Sequence, residues 1–366
     1  MSFGTKGRIR TMLNRRGGPL ERVARRQAHE PPSASADVRV LIELSGEHPT
    51  LPRAEALATM EAERVEIRTA AWDAKVLRLD AVGPVERAVR RLGLAHLVCE
   101  ELARGDFEDL RAFARDTDLA GRTFRVRASG FGADVDVQAL EGALGADFGR
   151  TGRVDLTAPR VDFRLLVGEE FVLGRVMHRV ERSALERRKV ARRPFSLPIS
   201  LHPKYARALV NLARVPTAGR ILDPFCGTGG ILLEAHRIGV CGIGGDLRRP
   251  MVLGARRSLR ALDASADLFL ADAGRGPWRT GRLDGIATDP PYGRAASTRG
   301  ESTERLYERF FGAAAAILPP GRFAAVVLPS ERAVEIGGRH MELVESHSLR
   351  VHRSLTRTFC AFVNEG

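Results

Sequence analysis

Apolar positions along the chain change their spacing at about residue 197. Before that point, strand-like runs such as Val38–Leu44 and helix-like runs follow one another in an uneven order, which is typical of α+β structure. After it, short apolar strands and amphipathic helices alternate one for one. This alternation predicts an α/β domain at residues 197–366, with a doubly wound, mostly parallel sheet and a final antiparallel strand pair.

The uneven N-terminal region divides into two α+β units. The first, at residues 37–98, is predicted to be ferredoxin-like, with a strand at 38–44, a helix at 51–65, two strands within 65–80 and a helix at 85–98. The second, at residues 99–178, combines a helix at 106–115, a strand at 123–129, a helix at 137–148 and a hairpin of strands 161–168 and 170–177.

Two basic segments flank these units. Residues 1–36 contain eight Lys or Arg against two Glu and end in a Pro/Ser/Ala-rich stretch, which predicts a disordered arm. The arm is either an RNA contact or a dispensable extension. Residues 179–196 form an Arg-rich linker, for which a solvated helix and a hinge that lies along phosphates are equally good interpretations.

Composition and charge narrow the kind of partner. The chain has 366 residues, 44% of them hydrophobic and 28% charged, which is typical of a globular protein of two or three domains. Its formal net charge of +13 favours a polyanionic partner, most often nucleic acid. Only four of the 58 basic residues are lysine, however, so genome base composition is an alternative source of the arginines.

Cysteine and histidine spacing disfavours other functional classes. The four cysteines contain no C-x-x-C pair and the nine histidines no H-x-x-x-H pair, so we expect no metal ion. No apolar run approaches the roughly 18 residues that span a bilayer. The N-terminus also lacks the apolar core of a secretory signal. We therefore expect a cytoplasmic protein with no membrane partner.

A glycine-rich segment, Asp223-Pro-Phe-Cys-Gly-Thr-Gly-Gly, lies where the first strand of the α/β domain ends and a helix begins. Its glycines leave room for a ligand against the backbone, and open α/β sheets bind ligands at the carboxyl ends of their strands. Asp246 and Asp272 end the next two predicted strands, where they are suited to bind ribose hydroxyls and an adenine amine. Helix capping is the alternative for both. The lack of a G-x-G-x-x-G pattern disfavours NAD.

A second motif, Asp289-Pro-Pro-Tyr-Gly, follows the fourth predicted strand. Two consecutive prolines cannot continue a central strand, but their carbonyl oxygens are fixed acceptors. Asp289 and the Pro290 carbonyl are together suited to bind both hydrogens of an amino group on a base, while Tyr292 offers an aromatic face. Such acceptors direct the lone pair of the amine towards a methyl donor. A capped proline-rich turn is the alternative, but it does not explain the position after three aspartate-terminated strands.

These motifs together resemble the class I S-adenosylmethionine-dependent amino-methyltransferases. The segments LSGEHPTLPRAEALA, HPKYARALVNLARV and DPPYGRAAST…LYERF are similar to the archaeal tRNA guanosine N2-methyltransferases that act at position ten of tRNA. The resemblance runs from about residue 38 to the C-terminus. It implies an N-terminal ferredoxin-like unit, a THUMP RNA-binding domain and a C-terminal Rossmann-like methyltransferase domain.

The chain departs from this family at two places. Residues 1–36 are not part of the family pattern, and Ala295 and Ala296 stand where serine-richer versions are usual. The resemblance therefore implies no functional role for these two alanines.

The resemblance also implies roles for individual residues. The cofactor S-adenosylmethionine would be held by Asp223, Phe225, Gly227, Thr228, Gly229, Asp246, Asp272, Ala273, His202 and Pro203. The target base would be held by Asp289, Pro290, Pro291 and Tyr292. Lys204 lies beside the first set, and a solvated surface lysine is an equally good interpretation of it.

The sequence thus predicts a monomeric enzyme that methylates the exocyclic 2-amino group of a tRNA guanosine. A second transfer would give N2,N2-dimethylguanosine. A DNA adenine N6-methyltransferase is one alternative, but it leaves about 150 upstream residues without a role. A catalytically inactive RNA-binding module is the other, and the intact Asp-Pro-Pro-Tyr motif argues against it.

Overall fold

The computed structural model describes residues 7–8, 37–73, 75–130, 135–168, 170–189, 194–195, 200–279, 281–292, 301–352 and 355–366. The described strands form two sheets, one in each half of the chain. The expected arm at residues 1–36 lies outside these ranges except for residues 7 and 8. Parts of the expected linker, together with Ala295 and Ala296, also lie outside them.

The described N-terminal strands form one continuous sheet of nine strands. The elements of this half are β1 (Gly7–Arg8), β2 (Val38–Leu44), α1 (Leu51–Ala62), β3 (Glu66–Trp72), β4 (Val76–Val82), α2 (Val85–Val89), β5 (Ala95–Gly105), α3 (Phe107–Asp116), β6 (Thr123–Gly130), α4 (Val137–Phe148), β7 (Arg153–Val154), β8 (Val161–Val167) and β9 (Phe171–Arg179). The strand order is β1-β3-β4-β2-β5-β9-β8-β6-β7. Because β5 pairs with both β2 and β9, the boundary expected between residues 98 and 99 falls inside a strand that joins the two α+β units.

The helix expected over residues 85–98 is wrong in its second half, because α2 ends at Val89 and β5 begins at Ala95. The carboxylate of Glu55, on α1, accepts the backbone N–H groups of Gly93 and Leu94 at 2.9 and 2.8 Å. In a continuing helix these N–H groups would bind carbonyls of the preceding turn. A side chain 38 residues away thus stabilises the turn from helix to strand, and local spacing does not show it.

The C-terminal half contains a seven-stranded sheet that confirms the predicted fold class. Its elements follow α5 (Arg182–Arg187) and are α6 (Pro203–Leu212), β10 (Arg220–Asp223), α7 (Gly230–Arg237), β11 (Cys241–Asp246), α8 (Arg249–Ala261), β12 (Asp267–Leu270), β13 (Gly285–Thr288), α9 (Thr303–Ile317), β14 (Phe323–Leu328), α10 (Glu331–Gly338), β15 (Glu342–His352) and β16 (Leu355–Val363). The order is β12-β11-β10-β13-β14-β16-β15, and β16 runs antiparallel to both β14 and β15 while the other pairs are parallel. Helix α10 was not predicted from the sequence.

Helices cover both faces of this second sheet. One face packs against α6 and α7 through residues such as Leu209 and Ile231, and the other against α9 and α10 through Phe310 and Ile336. Strands β13 and β14 are buried along their whole length, as expected for parallel strands between two helical layers. The loops after β10, β11, β12 and β13 therefore lie along one edge of the sheet. None of the described helices combines the length and apolarity that crossing a membrane requires.

The two halves of the chain meet through buried polar groups on α1 and α6. The side-chain amide of Asn211 donates to Glu55 at 2.9 Å and to the backbone carbonyl of Arg91 at 3.1 Å. The carboxylate of Glu63 accepts from Arg91 Nη1 at 2.5 Å and from the Thr217 backbone N–H at 2.9 Å. Because these groups are shielded from water, they depend on one another for hydrogen bonds. They hold the N-terminal sheet against the C-terminal domain.

We expect the Asn211→Ala variant to lose about 1–3 kcal/mol of unfolding free energy, because Glu55 and the Arg91 carbonyl would each lose a donor in a buried site. Chemical denaturation followed by circular dichroism measures this change. The control is Arg332→Ala, which removes an exposed ion pair with Glu335 and should cost less than about 1 kcal/mol. Equal losses in the two variants would contradict a stabilising role for the buried interface.

Candidate active site

The glycine-rich segment forms the turn between β10 and α7, as predicted. Gly227 and Gly229 have φ angles of +49° and +80°, in the left-handed region that favours glycine. A Cβ on Gly229 would lie 3.3 Å from Ala255 of α8, whereas a Cβ on Gly227 would meet only the Phe225 carbonyl, at 3.8 Å. Gly229 therefore allows close packing of α7 and α8, and Gly227 borders space in which a ligand fits against the backbone.

Contacts outside the segment hold this turn in place. The buried Thr228 Oγ1 lies 3.3 Å from Ser200 Oγ. The ring of Phe225 packs edge-on against Phe310 of α9, with 5.4 Å between the ring centroids. Ala273 is buried in the same apolar cluster as Phe310. The turn is thus anchored on its core side and leaves its other side, at Gly227, accessible.

Asp223 ends β10 as a fully buried carboxyl group. Its Oδ1 accepts the Thr288 hydroxyl at 2.7 Å and the Phe225 backbone N–H at 3.2 Å, so it joins the start of the glycine-rich turn to the end of β13. Burial raises the pKa of Asp223 to about 7, and the nearby carboxylates of Asp289 and Asp246 act in the same direction. In the described part of the chain, these acids form no group of three or more His, Cys, Asp or Glu that could hold a metal ion.

Asp246 ends β11 and presents its carboxylate to the same edge. Its Oδ2 accepts the Gly227 backbone N–H at 3.1 Å, and its Oδ1 accepts that of Arg248 at 2.8 Å. Each oxygen retains a lone pair for another donor, which suits a pair of ribose hydroxyls. Burial raises the pKa of this carboxyl group. The N-cap residue of α8 is Arg248, so Asp246 does not cap that helix.

Asp272 lies two residues beyond the last residue of β12, Leu270, rather than at the end of the strand as predicted. Arg309 of α9 forms an ion pair with its Oδ1, and the Gly274 backbone N–H donates to the same atom at 2.9 Å. Burial alone would raise the pKa of Asp272, but these partners lower it. Because both contacts use Oδ1, the other carboxylate oxygen is suited to accept an amine.

Asp289 directly follows β13, and one of its oxygens lacks a donor. Its Oδ1 is buried and has no hydrogen-bond partner among the described residues, while its carboxyl group hydrogen-bonds with the Tyr292 hydroxyl. Burial raises the pKa of Asp289 to about 7, although the positive charge of Arg357 and the hydrogen bond from Tyr292 oppose this. Leaving a buried acceptor unpaired costs about 1–3 kcal/mol. The geometry therefore suits a ligand that supplies the missing donor.

The rest of the Asp-Pro-Pro-Tyr motif is fixed by two distant elements. Pro290 is buried, and the carbonyl of Pro291 accepts the hydroxyl of Tyr307, on α9, at 3.2 Å. The Tyr292 hydroxyl accepts from Nε of Arg357, on β16, at 2.7 Å. Both the backbone of the motif and the position of its aromatic ring thus depend on side chains from outside the loop.

His202 and Pro203 begin α6, and protein groups occupy both nitrogens of the imidazole. Nδ1 accepts the backbone N–H of Lys204 at 3.3 Å, and Nε2 lies 3.0 Å from Glu186. Burial lowers the pKa of His202, and the charge of Lys204 adds to this effect. Lys204 itself pairs with Glu47 of the N-terminal half at 2.5 Å. Through this ion pair, Lys204 takes part in the contact between the two halves of the chain.

Four side chains that received no role from the sequence complete the site: Thr288, Tyr307, Arg309 and Arg357. Tyr307 and Arg309 belong to the segment LYERF, which carries part of the family resemblance but indicates no role for either residue. Thr288 directly precedes the Asp-Pro-Pro-Tyr motif, so its position offered a signal. Tyr307, Arg309 and Arg357 are 16, 37 and 65 residues away from the groups they contact. Contacts between residues so far apart along the chain cannot be predicted from local sequence spacing.

Fold and site together are those of a class I methyltransferase. Residues 190–359 match the family of RMKL-like methyltransferase domains. The strand order, the ligand space at Gly227 and the carboxylates along one sheet edge agree with this class.

The comparisons extend beyond the catalytic domain. The chain is 34% identical over 328 residues to the tRNA (guanine(10)-N2)-dimethyltransferase of Methanothermobacter thermautotrophicus, a match that covers 87% of this chain and 98% of that protein. It is 32% identical over 333 residues to the enzyme of the same name from Pyrococcus abyssi, with 87% and 97% covered. The chain belongs to the tRNA (guanine(10)-N2)-dimethyltransferase family, which confirms the resemblance in its sequence. The crystal structure of TrmN from Thermus thermophilus superposes with a TM-score of 0.50 at 26% identity and covers 89% of this chain and 99% of that one.

We expect the Asp223→Asn variant to weaken the pH dependence of stability. Asparagine keeps an acceptor oxygen for Thr288 and Phe225 but cannot ionise. In the wild type, a pKa raised above that of the unfolded chain means that stability falls as the pH rises from about 4 to about 7. Relative to wild type, the variant should therefore gain roughly 1–3 kcal/mol between pH 5 and pH 8.

Urea unfolding at the two pH values measures this difference. Asp263→Asn, at an exposed position, is the matched control and should show the same difference as the wild type. If Asp223→Asn also retained the wild-type difference, protonation of the buried carboxyl group would be ruled out as its cause.

Proposed function

We propose that this protein transfers methyl groups from S-adenosylmethionine to the 2-amino group of the guanosine at position 10 of tRNA, first to the mono- and then to the dimethylated base. The observation that carries the proposal is the buried, unpartnered Oδ1 of Asp289, at the same sheet edge as Gly227 and Asp246. The names of the relatives support guanosine N2 and position 10.

The space beside Gly227 fits the methyl donor. When bound, S-adenosylmethionine supplies a methyl group on a sulfonium, which is already a strong electrophile. Asp246 is suited to its ribose hydroxyls and the free oxygen of Asp272 to its adenine amine, while the backbone at Gly227 approaches its methionine part. The set of residues assigned to this side is Asp223, Phe225, Gly227, Thr228, Gly229, Asp246, Asp272 and Ala273. A contribution of His202 and Pro203 stays a prediction.

Asp289 and the carbonyl of Pro290 act on the amino group of the base. The amine lone pair is delocalised into guanine, so the nitrogen is a weak nucleophile until two acceptors orient its hydrogens. The aromatic face of Tyr292 positions the ring, and Pro291 fixes the backbone through Tyr307. After transfer the nitrogen must lose a proton, and a carboxylate with a pKa of about 7 is suited to accept it. The work of the protein is chiefly positioning and exclusion of water.

The N-terminal half is the part that we assign to tRNA binding. It comprises the ferredoxin-like unit and the THUMP domain expected at residues 37–98 and 99–178, which share strand β5. Arg150, Arg153 and Arg160 are exposed there and form no ion pair with any described residue, so they are available to phosphates. The buried contacts of Asn211 and Glu63 hold this half against the catalytic domain. A guanosine removed from its stack would thus be presented at a constant position. We place the protein in the cytoplasm as a monomer.

The full chain, incubated with tRNA and isotopically labelled S-adenosylmethionine, should yield labelled N2-methyl- and N2,N2-dimethylguanosine in nucleoside mass spectrometry. A tRNA with inosine at position 10 lacks the 2-amino group and should remain unlabelled there. Label that persists in the inosine tRNA would place the target elsewhere. Transfer to adenine in duplex DNA, without transfer to tRNA, would overturn the proposal.

The variants Asp289→Ala and Asp246→Ala should distinguish the residues that act on the base from those that bind the cofactor. Loss of Asp289 should lower turnover by at least tenfold and leave cofactor affinity nearly unchanged, because the lost acceptor serves the base. Loss of Asp246 should weaken binding of S-adenosylmethionine by about 1.5–3 kcal/mol, the scale of charge-assisted hydrogen bonds. Calorimetry with the cofactor and initial rates with tRNA measure both effects. The reverse pattern, in which only Asp289→Ala weakens cofactor binding, would contradict these assignments.

A further inference from the structure

Arg357 brings a buried positive charge to the methyl-acceptor side of the site. It is 8% exposed, its Nε donates to the Tyr292 hydroxyl at 2.7 Å, and its Nη2 lies 4.0 Å from Oδ2 of Asp289. The guanidinium thus contacts one member of the Asp-Pro-Pro-Tyr motif and lies within electrostatic range of another.

The topology of the sheet explains how a residue so late in the chain reaches this place. Strand β16 runs antiparallel to β14, so its first residues lie at the edge where the parallel strands end. Leu328, the last residue of β14, pairs with Thr358, and Arg357 is the next residue towards that edge. A parallel strand at this position would bring its first residues to the opposite edge.

We propose that Arg357 is a positioning residue for the methyl acceptor: it holds the Tyr292 ring against the target base and favours the ionised form of Asp289, so that this carboxylate accepts hydrogen bonds from the amine. The inference rests on the proposed function of the site. It assigns Arg357 no contact with the cofactor and no direct part in the transfer.

The other described groups that face Asp289 carry no positive charge of their own, so a nearby positive charge is needed to favour its carboxylate form. Asp223 of β10 repels a negative charge at Asp289, and the hydroxyls of Tyr292 and of Tyr307, on α9, carry no charge at neutral pH. Burial also disfavours the carboxylate. Among these groups, Arg357 supplies the opposing positive charge. A protonated Asp289 would use one oxygen as a donor and would lose an acceptor position for the amine.

The test is the pH profile of kcat/KM for tRNA in four variants of the full chain. An opposite charge within about 4–6 Å lowers the pKa of a carboxyl group by roughly 1–3. Arg357→Met should therefore shift the rising limb of the profile by at least one pH unit upwards, with a loss of about fivefold or more near pH 7 that is largely regained near pH 9. Arg357→Lys keeps the charge and should restore the wild-type limb, but it should raise KM because Tyr292 loses its planar partner.

Three further measurements distinguish positioning from a structural role. Arg350→Met, at an exposed position of β15, is the matched control and should retain the wild-type profile. Calorimetry should show unchanged affinity for S-adenosylmethionine in all four variants, because a folded cofactor side needs neither Arg357 nor Tyr292. Tyr292→Phe keeps the charge of Arg357 and should leave most of the pH limb in place while raising KM.

An equal loss for Arg357→Met at every pH, or no loss at all, would overturn the inference. So would failure of Arg357→Lys to restore the limb. If the wild-type chain itself did not methylate tRNA guanosine, both the proposed function and this inference would be wrong. If the wild-type chain is active and only the Arg357 variants depart from these expectations, the inference alone is wrong.

Discussion

Burial of carboxyl groups along one edge of the C-terminal sheet is the constraint to which the rest of the site is adapted. Parallel strands bring Asp223, Asp246 and Asp289 to that edge, where burial disfavours their ionised forms. The nearby donors offset part of this cost: a hydroxyl on β13, backbone N–H groups of the glycine-rich turn and a guanidinium on β16. One acceptor, Oδ1 of Asp289, has no donor within the part of the chain that the structure describes. Perturbed carboxyl groups with unused hydrogen-bonding capacity are typical of functional sites.

The same principle holds at the contact between the two halves. Glu55, Glu63 and Asn211 are buried where α1 meets α6, and each hydrogen-bonds with partners from the other half, from α2 or from the turn after α2. The N-terminal half therefore covers part of the surface that α6 gives to the C-terminal domain. A catalytic site held in this way against a second sheet is suited to a large substrate that must be bound at one place and modified at another.

Much of the fold was predictable because the local spacing of apolar residues indicates where individual strands and helices lie. The alternation after residue 197 gave the strands and helices of the methyltransferase sheet, and Asp223 and Asp289 were expected at strand ends because glycine and proline mark those ends. The prediction failed over residues 85–98, where Glu55 stabilises a turn, and it placed Asp272 at the end of a strand that stops at Leu270. In the first case the deciding contact comes from a distant side chain, and in the second the strand ends earlier than expected. Neither feature produces a periodic pattern in the sequence.

The sequence by itself determined the fold class, the family and the two motifs, because each depends on residues that are close together along the chain. Only the tertiary structure decided how those motifs are held. Arg357 reaches Tyr292 because β16 is antiparallel, and Arg309 reaches Asp272 because α9 packs against the face of the sheet beside that loop. Such contacts are determined by strand order and helix packing. Neither can be predicted from how far apart the residues are along the chain. Local chemistry therefore specifies what kind of site this is, and the packing of distant elements specifies its charge balance.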